Sequence, residues 1–213
     1  KTSEKLIDKT LQEFVNETAS ESPAPGGGSV SAAVGALGAA LSAMVANLSA
    51  HKRGWDHRWE DFSDWAEKGK YYHDALLKCV DEDTEAFNQI VAAFGLPKSN
   101  EQENAERKKA IQSATKNAIE VPLKVMQLAC DSLEVIRAMA ENGNPNSVSD
   151  AGVGALCVRT AVEGAFLNVK INASGCEDKT FLEEVLKKAE MYSVLARQKE
   201  VEILKITEQK ISE

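Results

Sequence analysis

Apolar side chains recur three and four residues apart through most of this chain, the spacing that lines one face of an α-helix. Leu6, Ile7, Leu11, Phe14 and Val15 form such a face, and Ser3 is placed to cap a helix over residues 4–18. After the run Pro23-Ala24-Pro25-Gly26-Gly27-Gly28, Ser29 is placed to cap a second helix reaching about residue 49. That helix is apolar on every side and built mostly of Ala, Gly and Ser; no charged residue occurs from Ser22 to Ala50. A helix apolar all round belongs in an interior. Gly54-Trp55-Asp56 breaks the pattern, and a long third helix follows over residues 59–94, with a local break possible at Gly69.

Gly95-Leu96-Pro97 stops the third helix. Ser99 opens a fourth that runs toward Met139 and carries Pro122, where a kink is predicted. Asn142-Gly143-Asn144-Pro145-Asn146 is the next breaker; Ser149 is predicted to cap a fifth helix over residues 151–169. Asp178 or Thr180 opens the last, which extends nearly to Ile211. Sustained two-residue alternation between hairpin turns is missing, so a β-sheet is not expected. The pattern predicts an all-α fold: one domain over residues 1–213, an up-and-down bundle of about six long helices. The all-round apolar second helix and the length of the third and last helices exceed what one protomer buries, which predicts a homodimer.

Composition narrows the partners. Hydrophobic residues make up 43% of the chain and charged residues 27%, ordinary for a soluble globular protein. A net charge of −8 argues against nucleic acid. Residues 30–50 are long enough to span a bilayer, but their Ala/Gly/Ser content without flanking Trp or Tyr favours a buried helix, so no membrane partner is expected. The first residues show no signal-peptide pattern, which with four cysteines lacking any C-x-x-C pair predicts a cytoplasmic protein with reduced thiols.

Three segments carry candidate chemistry. Glycines at the mouth of a helix leave backbone N–H groups bare, an arrangement suited to an anionic or strongly accepting ligand; the plain alternative is a flexible linker. The loop is neither a P-loop nor a dinucleotide fingerprint, since no Lys follows it and no strand precedes it. Next, Asp81, Glu82, Asp83 and Glu85 put four carboxylates in five residues, usually a solvated helix face. Asp83, however, falls among Cys79, Val80, Phe87 and Ile90, where burial would raise its pKa and make it an acid–base candidate. Third, Ser149-Asp150 precede Gly152 and Gly154, a second place where backbone approaches a ligand or another helix. Lys52, Arg53 and Arg58 form a small basic cluster, either surface charge or a clamp for a substrate carboxylate. His51, His57 and His73 match no metal-ligand spacing, so no metal is expected.

The glycine run Pro23–Ser29 followed by Ala36-Leu37-Gly38-Ala39-Ala40-Leu41, then Val80-Asp81-Glu82-Asp83 with Ala86-Phe87, Val121-Pro122-Leu123, Ser149-Asp150 and Asn168-Val169-Lys170-Ile171-Asn172, resembles the cyclodeaminase domain of formimidoyltransferase-cyclodeaminase. That family includes stand-alone bacterial proteins of this size, some of them methenyltetrahydrofolate cyclohydrolases, and the likeness covers nearly the whole chain. The resemblance implies a dimerising all-α fold with a folate site near the dimer interface, and Asp83 in the place of the family's proposed catalytic carboxylate. It implies folate binding by Gly26, Gly27, Gly28, Ser29, Ser149 and Asp150, and it places Lys52 and Asn168 at matching positions. The implied reaction cyclises 5-formimidoyltetrahydrofolate to 5,10-methenyltetrahydrofolate with loss of ammonia, the folate being substrate with no tightly bound cofactor, in histidine breakdown. The alternative within the family is hydrolysis of the methenyl bridge. A different class is a non-catalytic helical dimerisation module.

Overall fold

A computed structural model describes residues 5–213, and among them every regular element is helical. A short 3-10 turn at Leu6–Asp8 leads into α1 (Leu11–Thr18), followed by α2 (Gly27–Ala50), α3 (Trp59–Phe94), α4 (Glu101–Asn142), α5 (Val148–Ala173) and α6 (Lys179–Ile211). Helix α2 is the central element, packed between α3 and α5, with α4 closing the bundle behind them and α6 lying on α4 and α5. The core is filled by Phe62, Leu76, Ile119, Met126, Ile136 and Met139, all fully buried.

The six helices stand where the periodicity places them, but several starts differ. Ser3 lies outside the described residues; α1 begins later, capped by Thr10 in a capping box with Glu13. Ser29 does not cap α2. The N-cap is Gly26, and the Ser29 hydroxyl turns inward to α3 instead. Asn100, not Ser99, caps α4, because its Oδ1 reaches the Glu103 N–H at 2.9 Å. A 3-10 turn at Pro145–Ser147 leads directly into α5, which begins at Val148 with Ser149 already inside its first turn. Of the two candidates for opening α6, Asp178 is the cap.

Helices α2 and α5 run antiparallel in a seam of small residues. Gly27 stands by Asn168, Gly35 by Ala161 and Gly38 by Gly154. A Cβ on Gly38 would come within 2.9 Å of the Gly154 carbonyl oxygen, so only glycine allows this approach. The glycines of α5 that the sequence marks for a close approach therefore meet helices, Gly154 against α2 and Gly152 against Thr207 of α6. Gly69 does not interrupt α3; it lets that helix sit against Ala43 of α2.

Both α2 and α5 are long and apolar enough to cross a membrane, yet at least half of each apolar window is buried within the bundle. Their outer faces keep an apolar stripe in solvent: Leu37, Met44 and Leu48 on α2, and Val153, Leu156 and Leu167 on α5.

Candidate active site

The N-terminus of α2 and the middle of α3 meet at Asp83. A side chain at residue 28 would occupy the same space as this carboxylate, since a Cβ there would lie 2.5 Å from Asp83 Cγ. The Asp83 carboxylate thus by itself requires glycine at residue 28. The helix mouth itself supplies donors, because the first N–H groups of any α-helix lack a carbonyl partner. The first backbone bond of α2 runs from Val30 N to Gly26 O, at 3.0 Å.

Ser29 links the two helices. Its Oγ lies 2.9 Å from the Val80 carbonyl, 3.0 Å from Asp83 Oδ2 and 3.3 Å from Thr84 Oγ1. A hydroxyl has one proton to donate. When Asp83 is ionised, Ser29 donates to it; when Asp83 is protonated, the acid donates to Ser29, which turns its proton to Val80 or Thr84. The contact therefore serves either charge state.

Burial pushes the Asp83 pKa above the ordinary carboxylate range, and hydrogen bonds from the Ser29 hydroxyl and backbone N–H oppose that rise without cancelling it. Its acidic neighbours are otherwise engaged. Asp81 accepts from the Leu6 N–H at 2.7 Å, Glu82 pairs with Lys124 at 2.8 Å, and Glu85 is exposed. Burial also raises the thiols of Cys79 and Cys130 to about 12, so both are inert at neutral pH.

Asp83 opens onto a cavity of about 180 Å³. Gly26, Gly27 and Gly28 form one wall, and Asn168 and Asn172 of α5 form another. Phe87, Ile90 and Pro23 give it an apolar side. Whole drug-sized ligands need about 300–1,000 Å³, so this hollow suits one flat ring system with the remainder of the ligand outside. Asn172 and Phe87 were not singled out individually as site residues by the sequence; Asn172 lies one turn beyond Asn168, a spacing that could have flagged it. A hollow of about 460 Å³ between Arg58 and Lys68 contains only exposed carboxylates, Asp61 and Asp64. Among the described residues no three His, Cys, Asp or Glu side chains stand together as a metal-ligand set.

The remaining expected residues lie elsewhere within the chain. Lys52 follows the far end of α2, whose 24 residues span about 36 Å, and packs over the Trp55 ring at 4.1 Å. Arg58 caps the same ring at 4.6 Å and reaches the Asn142 carbonyl. Ser149 and Asp150 sit in the first turn of α5, about 28 Å along that helix from Asn168. Antiparallel packing therefore divides the expected site into two groups at opposite ends of the bundle. Gly26–Ser29, Asp83 and Asn168 meet; Lys52, Ser149 and Asp150 do not join them in one chain.

Two outcomes follow from this geometry. Because the folded state holds the Asp83 proton more tightly than the unfolded chain, stability falls as pH rises from about 3.9 through the folded pKa and stays lowered above it. Asp83→Asn removes that penalty, so its melting temperature should exceed wild type by on the order of a few °C at pH 7 and converge with it near pH 3.5; an unchanged difference across pH would contradict the assignment. Gly28→Ala should cost about 1–3 kcal/mol by urea unfolding, because the Asp83 carboxylate must move. Gly27→Ala, whose Cβ would meet Asn168 at an ordinary 3.4 Å, should change stability by less than about 1 kcal/mol.

A family profile described as formiminotransferase-cyclodeaminase matches residues 10–191. A protein of Methylorubrum extorquens named methenyltetrahydrofolate cyclohydrolase is 38% identical over 183 residues, 86% of this chain and 88% of that protein. The rat formimidoyltransferase-cyclodeaminase is 36% identical over 179 residues, 84% of this chain but only 33% of the rat protein. A crystal structure of formiminotetrahydrofolate cyclodeaminase from Thermotoga maritima superposes with a TM-score of 0.83 at 29% identity, covering 95% of this chain and 98% of that one. With a helical bundle shared over 95% of its length and a family match over residues 10–191, this chain belongs to the formiminotransferase-cyclodeaminase family.

Proposed function

We propose that the cavity beside Asp83 binds the reduced pterin head of a tetrahydrofolate derivative and that Asp83 moves the proton in a cyclodeaminase reaction. The observation that carries this reading is a single carboxylate with a raised pKa on the floor of a hollow sized for one flat ring system. In 5-formimidoyltetrahydrofolate, its formimidoyl nitrogen protonated as an amidinium, the nucleophile N10 is already part of the molecule. Its attack on the formimidoyl carbon forms the N10–C bond and gives a tetrahedral carbon still bearing the amino nitrogen. One proton must then pass from N10 to that nitrogen before ammonia leaves with the C–N bonding pair, yielding the methenyl cation. Asp83 accepts the first proton and delivers it to the leaving group, while Ser29 follows by turning its hydroxyl. The small, rigid cavity contributes by holding N10 against the carbon.

A second reading uses the same site. The Methylorubrum relative, matched over 88% of its length, is named a cyclohydrolase. In that reaction water attacks the methenyl carbon and gives one proton to Asp83, which delivers it to N5 as the C–N5 bond breaks; the remaining O–H proton passes to solvent, leaving a formyl group on N10. Spectrophotometry of the methenyl chromophore distinguishes the two: formation with ammonia from the formimidoyl substrate is expected, whereas rapid loss of added methenyltetrahydrofolate would favour hydrolysis. Asp83→Asn should retain folate binding and lose about 10²–10⁴ of turnover; near-normal turnover would remove Asp83 from the mechanism. Gly27→Ala, stable as it is, should weaken folate binding by crowding the cavity wall.

The reading extends to a homodimer built on the apolar stripes of α2 and α5. A two-fold axis across these antiparallel helices exchanges their ends, bringing Lys52, Ser149 and Asp150 of a second copy toward Asp83 of the first. That arrangement supplies positive charge for an anionic folate, which the net charge of −8 otherwise opposes. Sedimentation should find a dimer for wild type and a monomer with impaired folate turnover for Leu37→Arg; an active monomer would refute the shared site.

A further inference from the structure

A proline inside a helix has no N–H, so the carbonyl four residues earlier loses its partner. In α4 the proline is Pro122 and the bereft carbonyl belongs to Ala118, a buried residue that borders the Asp83 cavity. Asn172 Nδ2 donates to that carbonyl at 2.7 Å, from the facing helix α5. A carbonyl oxygen only accepts, so the contact decides which way round the Asn172 amide stands: its NH₂ faces α4 and its Oδ1 faces away. One turn earlier, Asn168 Nδ2 is likewise occupied by the Gly164 carbonyl at 2.9 Å. Each of these two side-chain amides in the cavity wall thus commits one N–H to backbone and keeps its oxygen and second N–H.

A proline here is locally the wrong residue for a helix, and an alanine would restore the backbone bond. Restoring it would also free Asn172 to rotate. We propose that Pro122 and Asn172 act as a pair, the proline exposing a backbone carbonyl that holds Asn172 with its Oδ1 presented to the cavity as an acceptor for ligand N–H groups. Asn172 is then a specificity-determining residue and Pro122 a positioning residue. The ligand edge they select carries ring N–H and amino donors, as the aminopyrimidine side of a reduced pterin does; this rests on the folate reading of the cavity. Asp83 serves the reacting end of the ligand, and the Asn172 oxygen serves its recognition.

The pair is tested by a double-mutant cycle read in two ways: tetrahydrofolate affinity by calorimetry and melting temperature without ligand. Asn172→Ala should weaken binding about tenfold and lower the melting temperature, since the Ala118 carbonyl is left unmet. Pro122→Ala should weaken binding several-fold while raising the melting temperature, opposite signs that a purely structural proline would not produce. The double variant should bind like Asn172→Ala alone and melt no lower than Pro122→Ala alone. Wild-type affinity in Pro122→Ala, or binding losses that simply add in the double variant, would overturn the inference while leaving the folate site standing. Absence of tetrahydrofolate binding by the wild-type protein would overturn the folate reading itself and this inference with it.

Discussion

Asp83 can stand at the mouth of α2 only because residue 28 has no side chain. That single steric fit sets how close α3 lies to α2, gives Ser29 its partners on α3, and places the carboxylate among the first N–H groups of a helix. The rest of the seam continues the same constraint. Gly38 and Gly154 hold α2 and α5 in backbone contact, Gly35 seats the Ala161 methyl, and Gly69 brings α3 to the other flank of α2. The small-residue helix is therefore a ruler: its packing on both sides decides where the glycine loop, Asp83 and the α5 asparagines meet.

Several locally unfavourable choices converge on one cavity. Consecutive glycines at 26–28 forfeit backbone entropy, Pro122 removes a helical hydrogen bond, and Asp83 places a carboxylate where burial penalises its charge. Sequences usually agree with their fold at every level, and departures collect where function outweighs stability. Here each departure is answered by a neighbour across a helix interface. Asp83 fills the space above Gly28, Ser29 solvates Asp83, and Asn172 takes the carbonyl freed by Pro122.

The molecule also has a polarity along its axis. One end carries the carboxylate and amides; the other carries Lys52 and Arg58 stacked on Trp55, with Ser149 and Asp150 nearby in the first turn of α5. A single antiparallel bundle cannot bring these groups together, because α2 and α5 are each several turns too long. In the proposed dimer, a second copy seated on the exposed apolar stripes of the same two helices would reverse that polarity.

Much was legible in the sequence. Three- and four-residue periodicity, with Gly and Pro at the breaks, located all six helices, since burying one face of a helix needs only that spacing. It also isolated Asp83 from its acidic neighbours, because a carboxylate spaced among Cys79, Val80 and Ile90 falls on the helix face that packs inward. Asp178 apart, the identity of the caps was not legible. Ser29 has the chemistry of a cap, yet its hydroxyl is drawn to Val80 and Asp83, residues more than fifty positions away. The same holds for the reasons behind Gly28, Pro122 and Asn172, and for the separation of Lys52, Ser149 and Asp150 from Asp83. Local spacing records which face of a helix is buried. Which groups then touch depends on the antiparallel register of α2 against α5 and on the depth at which α3 and α4 pack beside them, and those are set by side chains distant in sequence.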